Sequence, residues 1–240
     1  MKKNEIFMRL NKFLSLSGIA SRRKSDNLIK MATTEVNGKI CLDPAFDVNI
    51  NDRVSYEGKT IKLITDKIVL MLNKPANVIT TVKDTHGRKT VMDFVKSKTR
   101  LTPIGRLDRD TTGLLLLTND GDLQQFLTHP SNRISKDYIA IIEGRMKKLD
   151  IKKLNKGVYI GNKEYGKAKI LKQETIKGRS KITLRLKHGK KREIRRIFFR
   201  MRKKLLSLKR IGLSKLKLGD LREGCFRQLT DNEIKSLYQR

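Results

Sequence analysis

The chain has little of what disulfide scaffolds, metalloproteins and membrane proteins are built from. Of its 240 residues only two are cysteine, Cys41 and Cys225, too few and too dispersed for a disulfide framework or a zinc site. They read as ordinary thiols of a reducing cytosol. Its three histidines, His86, His129 and His188, are scattered, which argues against a His-based triad and leaves no metal-ligand spacing. No apolar run reaches the ~18 residues of a membrane span. The start, Met1-Lys2-Lys3-Asn4-Glu5 with a brief apolar patch before Arg9, does not read as a signal peptide. A soluble, cytoplasmic protein is expected. Internal repeats and low-complexity tracts are missing too, and so are recognition-helix motifs and dimer heptads, the last two of which disfavour a DNA-binding protein.

Acidic residues are also scarce. There are 24 Asp and Glu against 56 Lys and Arg, for a formal charge of +32. Such a chain is drawn to phosphate backbones by counterion release, although an anionic membrane surface could use the same charge. An AT-rich genome that overuses Lys would explain a diffuse excess, but this one is clustered. Between positions 188 and 210 stand eleven Lys or Arg and one acid, Glu193.

Two domains are expected. Over residues 8–63, Leu10, Phe13 and Leu14 have the spacing of a short amphipathic helix that Gly18 can end. Ser21 suits the N-cap of a second helix that turns Leu28, Ile29 and Met31 inward and shows Arg22, Arg23 and Lys24 outward. Glu35 to Ile40 reads as two strands around an Asn37-Gly38 turn, and Arg53 to Tyr56 as another strand before a turn at Glu57-Gly58-Lys59. Thr65-Asp66-Lys67 is the expected linker. Over 64–240 the pattern predicts strands at Ile68–Leu72, Val78–Val82, Leu114–Leu117 and Tyr138–Ile142. Asp122 is expected to cap a short helix, and Leu149–Leu154 to form another. Lys167–Glu174 and Ser180–Leu186 should pair around Lys177-Gly178. A basic helix near Lys190, strands near 205–218 and a capping-box helix at Thr230–Glu233 complete the pattern. Without strict βαβ alternation, this is an α+β fold on a mainly antiparallel mixed sheet.

The candidate chemistry lies in Gly105-Arg106-Leu107-Asp108-Arg109-Asp110, a loop leading into four consecutive leucines. A buried strand holds its end rigidly, which suits a reactive group. Asp108 and Asp110 could work as an acid/base pair or simply form an Asx turn. A lone carboxylate would need a cationic partner to stay ionised in a partly dry pocket. In the basic helix Ile194, Ile197 and Phe198 share a face, which makes Arg192 and Arg195 the candidates to reach it. Tyr138 begins an apolar strand, where packing is the ordinary role, but an enzyme acting on a flipped base needs a flat surface to stack on it.

Three stretches together, Gly105–Asp108 with Thr111-Thr112-Gly113 and the leucines, Lys136–Tyr138, and Lys191–Arg196, resemble the bacterial 16S/23S ribosomal RNA pseudouridine synthases of the RsuA/RluB type. Met8–Leu14 through Val36-Asn37-Gly38 is similar to an RNA-binding domain first seen in a small-subunit ribosomal protein. The resemblance implies isomerisation of a uridine in ribosomal RNA, free or in assembling subunits, by a monomer that needs no cofactor and no metal. It places the catalytic aspartate at Asp108, the stacking tyrosine at Tyr138 and the basic partner at Arg195. It implies RNA contacts from Arg9, Lys12, Arg22, Arg23, Lys24, Arg106, Lys191, Arg192 and Arg196. Glu193, where many relatives carry Gln, leans the target toward 23S RNA. Arg109 also departs from the usual small or apolar residue. A non-catalytic RNA-binding or assembly factor on the same fold is the alternative.

Overall fold

The computed structural model describes residues 7–239, and the chain divides into two compact units between Lys67 and Ile68. In the first, strand β1 (Phe7–Arg9) leads into helices α1 (Leu10–Leu16) and α2 (Arg22–Lys30). Short strands follow: β2 (Thr34–Val36), β3 (Lys39–Ile40), β4 (Asp47–Asn49), β5 (Val54–Tyr56) and β6 (Lys59–Ile61). Leu10, Phe13, Leu14 and Ile29 pack on Val36, Val48 and Val54. Ser21 caps α2 by accepting from the Lys24 amide, as expected. Met31 differs: α2 ends at Lys30 and Ala32 adopts φ 59°, so Met31 is turned out and 70% exposed. Ser25 and Ile29, four apart, make the buried stripe instead. Asn37 and Gly38, at φ 52° and 80°, form the tight turn between β2 and β3.

The second unit is built on a nine-stranded sheet. Its elements in chain order are β7 (Val69–Lys74), β8 (Thr102–Ile104), β9 (Thr112–Thr118), α3 (Gly121–Thr128), β10 (Lys136–Glu143) and α4 (Lys148–Lys156). Then come β11 (Val158–Gly161), β12 (Glu164–Gly166), β13 (Lys169–Ile176), β14 (Arg179–Leu186), α5 (Glu193–Arg200), β15 (Leu205–Leu213), β16 (Leu216–Lys217), β17 (Phe226–Gln228) and α6 (Asp231–Leu237). The strand order is β13-β14-β10-β15-β9-β7-β17, with β16 beside β15 and β8 beside β9. Every pairing in this sheet is antiparallel except β15 with β9, through Lys209–Thr112 and Arg210–Gly113. The fold is therefore α+β, as the pattern predicts. Leu115 and Leu117 face one core with Tyr138, Ala140, Ile197 and Phe198, while Leu114 and Leu116 face the other with Leu123, Leu127 and Leu237. The leucine run is continuous because both faces of β9 are covered.

Gly113 is where β9 meets β15. Its φ is +102°, and a Cβ there would fall 2.1 Å from the Arg210 carbonyl oxygen. Gly113→Ala should cost about 3 kcal/mol or more in a urea titration, since neither backbone can yield without parting the sheet.

Three expectations in this unit need correction. Val78–Val82 is not a strand: Ile79 makes only an isolated bridge with Thr90, Asn77 turns the chain at φ 61°, and Thr80 spends its hydroxyl on Leu107. The cap of α3 is Asp120, which accepts from the amides of Asp122 and Leu123. Asp122 stands in the first turn, where its charge favours the helix dipole. The basic helix starts at Glu193, with Lys190 and Lys191 in the preceding turn. The capping box of Thr230 and Glu233 is present.

Asp137 anchors β10 beside Tyr138. Its carboxylate is 3% exposed and accepts from Arg185 at 2.6 and 2.9 Å and from Lys217 at 2.7 Å. The Arg185 bond, opposed by burial and aided by Lys217, holds its pKa below the ordinary 3.8. A depressed pKa gives stability that is present above about pH 4 and lost as pH falls through the folded value. Asp137→Asn should therefore lower stability by about 2 kcal/mol at pH 7. The gap to wild type should close below pH 4 in denaturant titrations at the two pH values.

Candidate active site

A cavity of about 370 Å³ opens on the face of the sheet that carries Tyr138. That size suits a small ligand or a single base. Among its walls are Gly105–Asp108 and Thr111 from the loop before β9, Lys136 and Tyr138 from β10, and Arg192–Arg195 from the start of α5. Leu208 and Arg210 of β15 also line it. Residues far apart in the chain thus converge because β9, β15 and β10 are successive neighbours in the sheet.

Of the two candidate carboxylates, only Asp108 reaches the cavity. Its side chain is 28% exposed, and its Oδ2 lies 3.6 Å from Arg192 Nη1 and 3.6 Å from Arg195 Nε. These are ion-pair separations, longer than hydrogen bonds, so the cations face the carboxylate without capping its oxygens. Asp110 is absent from the cavity lining and faces Arg109 at 3.8 Å in solvent. The pair of aspartates is therefore not an acid/base dyad. Arg195 is itself placed by a bond from Nη2 to Thr111 Oγ1 at 3.2 Å. Tyr138 is 9% exposed and lines the cavity.

The loop carrying Asp108 is held from below by Lys74, a residue the sequence reading passed over. Lys74 ends β7 fully buried, and its Nζ donates to the carbonyls of Pro75 at 2.8 Å, Arg109 at 3.1 Å and Thr111 at 2.9 Å. Burial pulls its pKa down to about 8, although the charges of Asp110, Glu223 and Asp108 oppose the fall. Thr80 Oγ1 adds a bond to the Leu107 carbonyl at 2.8 Å. The available signal was an ionisable residue closing an apolar run just before Pro75. Arg210 was missed as well: it is 3% exposed, with Nε on the Leu114 carbonyl at 2.6 Å. Lys136, also pulled down to about 8 by burial and by Arg210, completes a cationic floor.

The other candidates fall into separate groups. Arg106 and Lys191 are exposed, the first on the cavity wall. In the first unit Arg9, Arg22, Arg23 and Lys24 are exposed and Lys12 is half-buried. Arg196 is spent inside the protein: it donates to the carbonyls of Ile160, Gly161 and Lys191 and to the Glu164 carboxylate. These bonds hold β11 and β12 against α5. Glu193 is likewise buried, accepting from the amides of Lys190 and Lys167, and burial raises its pKa. Among the described residues no group of His, Cys, Asp and Glu could hold a metal ion, and no helix is long and apolar enough to cross a membrane.

Comparison with known proteins agrees with this geometry. The RNA pseudouridylate synthase family matches residues 68–199, and the S4 domain matches residues 8–54. The chain is 38% identical to the ribosomal large subunit pseudouridine synthase B of Bacillus subtilis, covering 95% of each protein. It is 32% identical to the dual-specificity RNA pseudouridine synthase RluF of Escherichia coli, over 97% of this chain and 79% of that one. A crystal structure of a pseudouridylate synthase superposes with a TM-score of 0.68 at 26% identity, over 96% of this chain and 99% of the other. With a carboxylate, an arginine and a tyrosine gathered in one cavity of a matching fold, and an S4 domain ahead of it, this chain belongs to the RNA pseudouridylate synthase family.

Proposed function

We propose that the protein isomerises a specific uridine of ribosomal RNA to pseudouridine, preferring 23S over 16S RNA, with Asp108 as the catalytic carboxylate. The observation that carries this reading is the Asp108 side chain in the cavity, 3.6 Å from Arg195 and in the same cavity as Tyr138. The glycosidic N1–C1′ bond breaks, the base rejoins the ribose through C5, and the proton on C5 is released. A carboxylate facing Arg192 and Arg195 can start this by attacking the ribose or ring, or by removing a sugar proton. Tyr138 stacks on the target base once it has left its helix. Arg106, Lys191 and Arg192 grip the flanking phosphates. Residues 8–63 act as an RNA-binding domain through Arg9, Lys12, Arg22, Arg23 and Lys24, and residues 64–240 as the catalytic domain. The protein works as a cytoplasmic monomer. The large-subunit preference is supported by Glu193 and by the name of the Bacillus relative.

The test is tritium release from 16S and 23S transcripts labelled at uracil C5, naked and as partly assembled particles. About one equivalent released from 23S RNA alone is expected for an enzyme that modifies one site. Release from 16S RNA alone would reverse the preference. No release from any of them would make the chain a binding factor on an enzyme fold.

A further inference from the structure

Tyr159 and Tyr165, two of the five tyrosines, lie outside the cavity just described. They stand directly opposite each other in the β11–β12 hairpin. Alternation sends their neighbours inward: Ile160 is 3% exposed, and Gly166 packs so closely on Ile197 of α5 that a Cβ there would meet it at 2.8 Å. The two rings therefore face solvent, 47% and 58% exposed, with centroids 5.5 Å apart at 62°. The Arg200 guanidinium lies 5.8 Å from the Tyr159 centroid, and neighbouring Phe199 is 77% exposed.

The hairpin is fixed rather than loose. Arg196 ties it to α5 through the Ile160 and Gly161 carbonyls, both at 2.9 Å, and through Glu164 at 2.6 Å. It is also joined to the cavity wall, since Lys190, a lining residue, donates its Nζ to the Tyr165 carbonyl at 2.6 Å. Lys163, in the turn of the hairpin, and Lys167, just after it, are exposed and add positive charge to this segment. Rigid, solvent-facing aromatic rings set among cations, beside a cavity built for a base, match the chemistry of unpaired RNA. Bases stack on the rings and the cations meet the phosphates.

We infer that the Tyr159–Tyr165 hairpin is a second RNA subsite, which stacks unpaired bases of the strand adjoining the nucleotide held in the cavity. The inference rests on reading the cavity as an RNA-modifying site, but it can be tested without turnover. A cross-strand aromatic pair can also serve its hairpin alone, so the measurement must see the RNA.

The full-length protein is titrated into a single-stranded, uridine-rich RNA of about 12 nucleotides carrying 2-aminopurine, whose emission falls when it stacks. Wild type and the Tyr159→Phe/Tyr165→Phe variant, which keeps both rings, should quench it. The Tyr159→Thr/Tyr165→Thr variant, whose residues still suit a strand, should bind about tenfold more weakly and quench little. In parallel, wild type irradiated with 5-iodouridine RNA should yield peptide adducts at Tyr159 or Tyr165. Unchanged affinity and quenching in the threonine variant would overturn the proposal. If that variant unfolds, adducts found only elsewhere on wild type would overturn it as well. Tritium release by wild type reports separately on the enzymatic reading, so each idea can fail alone.

Discussion

Asp108→Asn should abolish isomerisation while leaving RNA affinity unchanged or slightly tighter. The substitution keeps the size of the side chain and removes its capacity to attack or to accept a proton. We expect kcat to fall about 10³-fold or more, the scale of losing an essential acid–base or nucleophilic group. Affinity should hold because one fewer negative charge can only help a protein of net charge +32 grip a polyanion. Stability should change little, since Asp108 is partly exposed and its partners approach only to 3.6 Å. Single-turnover tritium release and filter binding on the same preparation measure both quantities. Activity within tenfold of wild type would remove Asp108 from the mechanism. Asp110→Asn, altering a solvent-facing residue two positions on, should leave kcat close to wild type.

The second large effect is expected behind the Asp108 loop, at Lys74→Met. Methionine fills a similar volume but donates nothing, so the carbonyls of Arg109 and Thr111 lose the ammonium that draws the Asp108 loop onto β7. A displacement of the carboxylate by about 1 Å is enough to lower kcat about 10²-fold, with little change in KM. Stability should move less, because removing a buried cation offsets the lost hydrogen bonds. Lys74 acts as a positioning residue, and its pH behaviour distinguishes it from simple packing. Its folded pKa of about 8 lies below the ordinary 10.5, so the native protein sheds this proton before the unfolded chain does. Stability contributed by this group therefore rises between about pH 8 and 10.5, while the grip on the loop weakens and kcat falls. Lys74→Met should lack that part of the alkaline decline, and Lys136→Met separates the lysine that titrates in the same range. Wild-type kcat in Lys74→Met would refute the positioning role.

Where a local interaction decided the structure, the sequence was a good guide. The Ser21 cap, the Asn37-Gly38 turn, the Lys177-Gly178 turn and the Thr230–Glu233 box each satisfy their own backbone within a few residues, so their spacing is visible in one dimension. Val78–Val82 misled because its apolar content serves the wall behind a loop, with Thr80 bonded to Leu107 across 27 residues. Strands β8 and β17 are three residues each and owe their existence to edges offered by β9 and β7, which no local pattern reveals. At the candidate site, the family resemblance pointed to Asp108, Tyr138 and Arg195, which line one cavity, whereas residue spacing left Asp108 and Asp110 equivalent. Only tertiary structure separates them, by turning one into the cavity and the other into solvent. Arg196 shows the converse, because a charge in a basic run looks free until its carbonyl partners on a hairpin some 35 residues upstream are known.

The central place of β15 also bears on how the protein comes into being on the ribosome. Strands β13, β14 and β10 form one group, and β9, β7 and β8 another; β15, at Leu205–Leu213, is the strand that joins them. Arg210 pairs with Gly113, almost a hundred residues upstream, so this contact has a high closure cost and waits for the chain to emerge. Until then the strands behind Asp108 and the strand bearing Tyr138 have no pairing between them in the sheet. A nascent chain stalled before Leu205 should thus be inert, and truncations ending near residue 204 should expose unpaired strand edges and aggregate. Modification then becomes possible only once β15 has joined the two groups of strands.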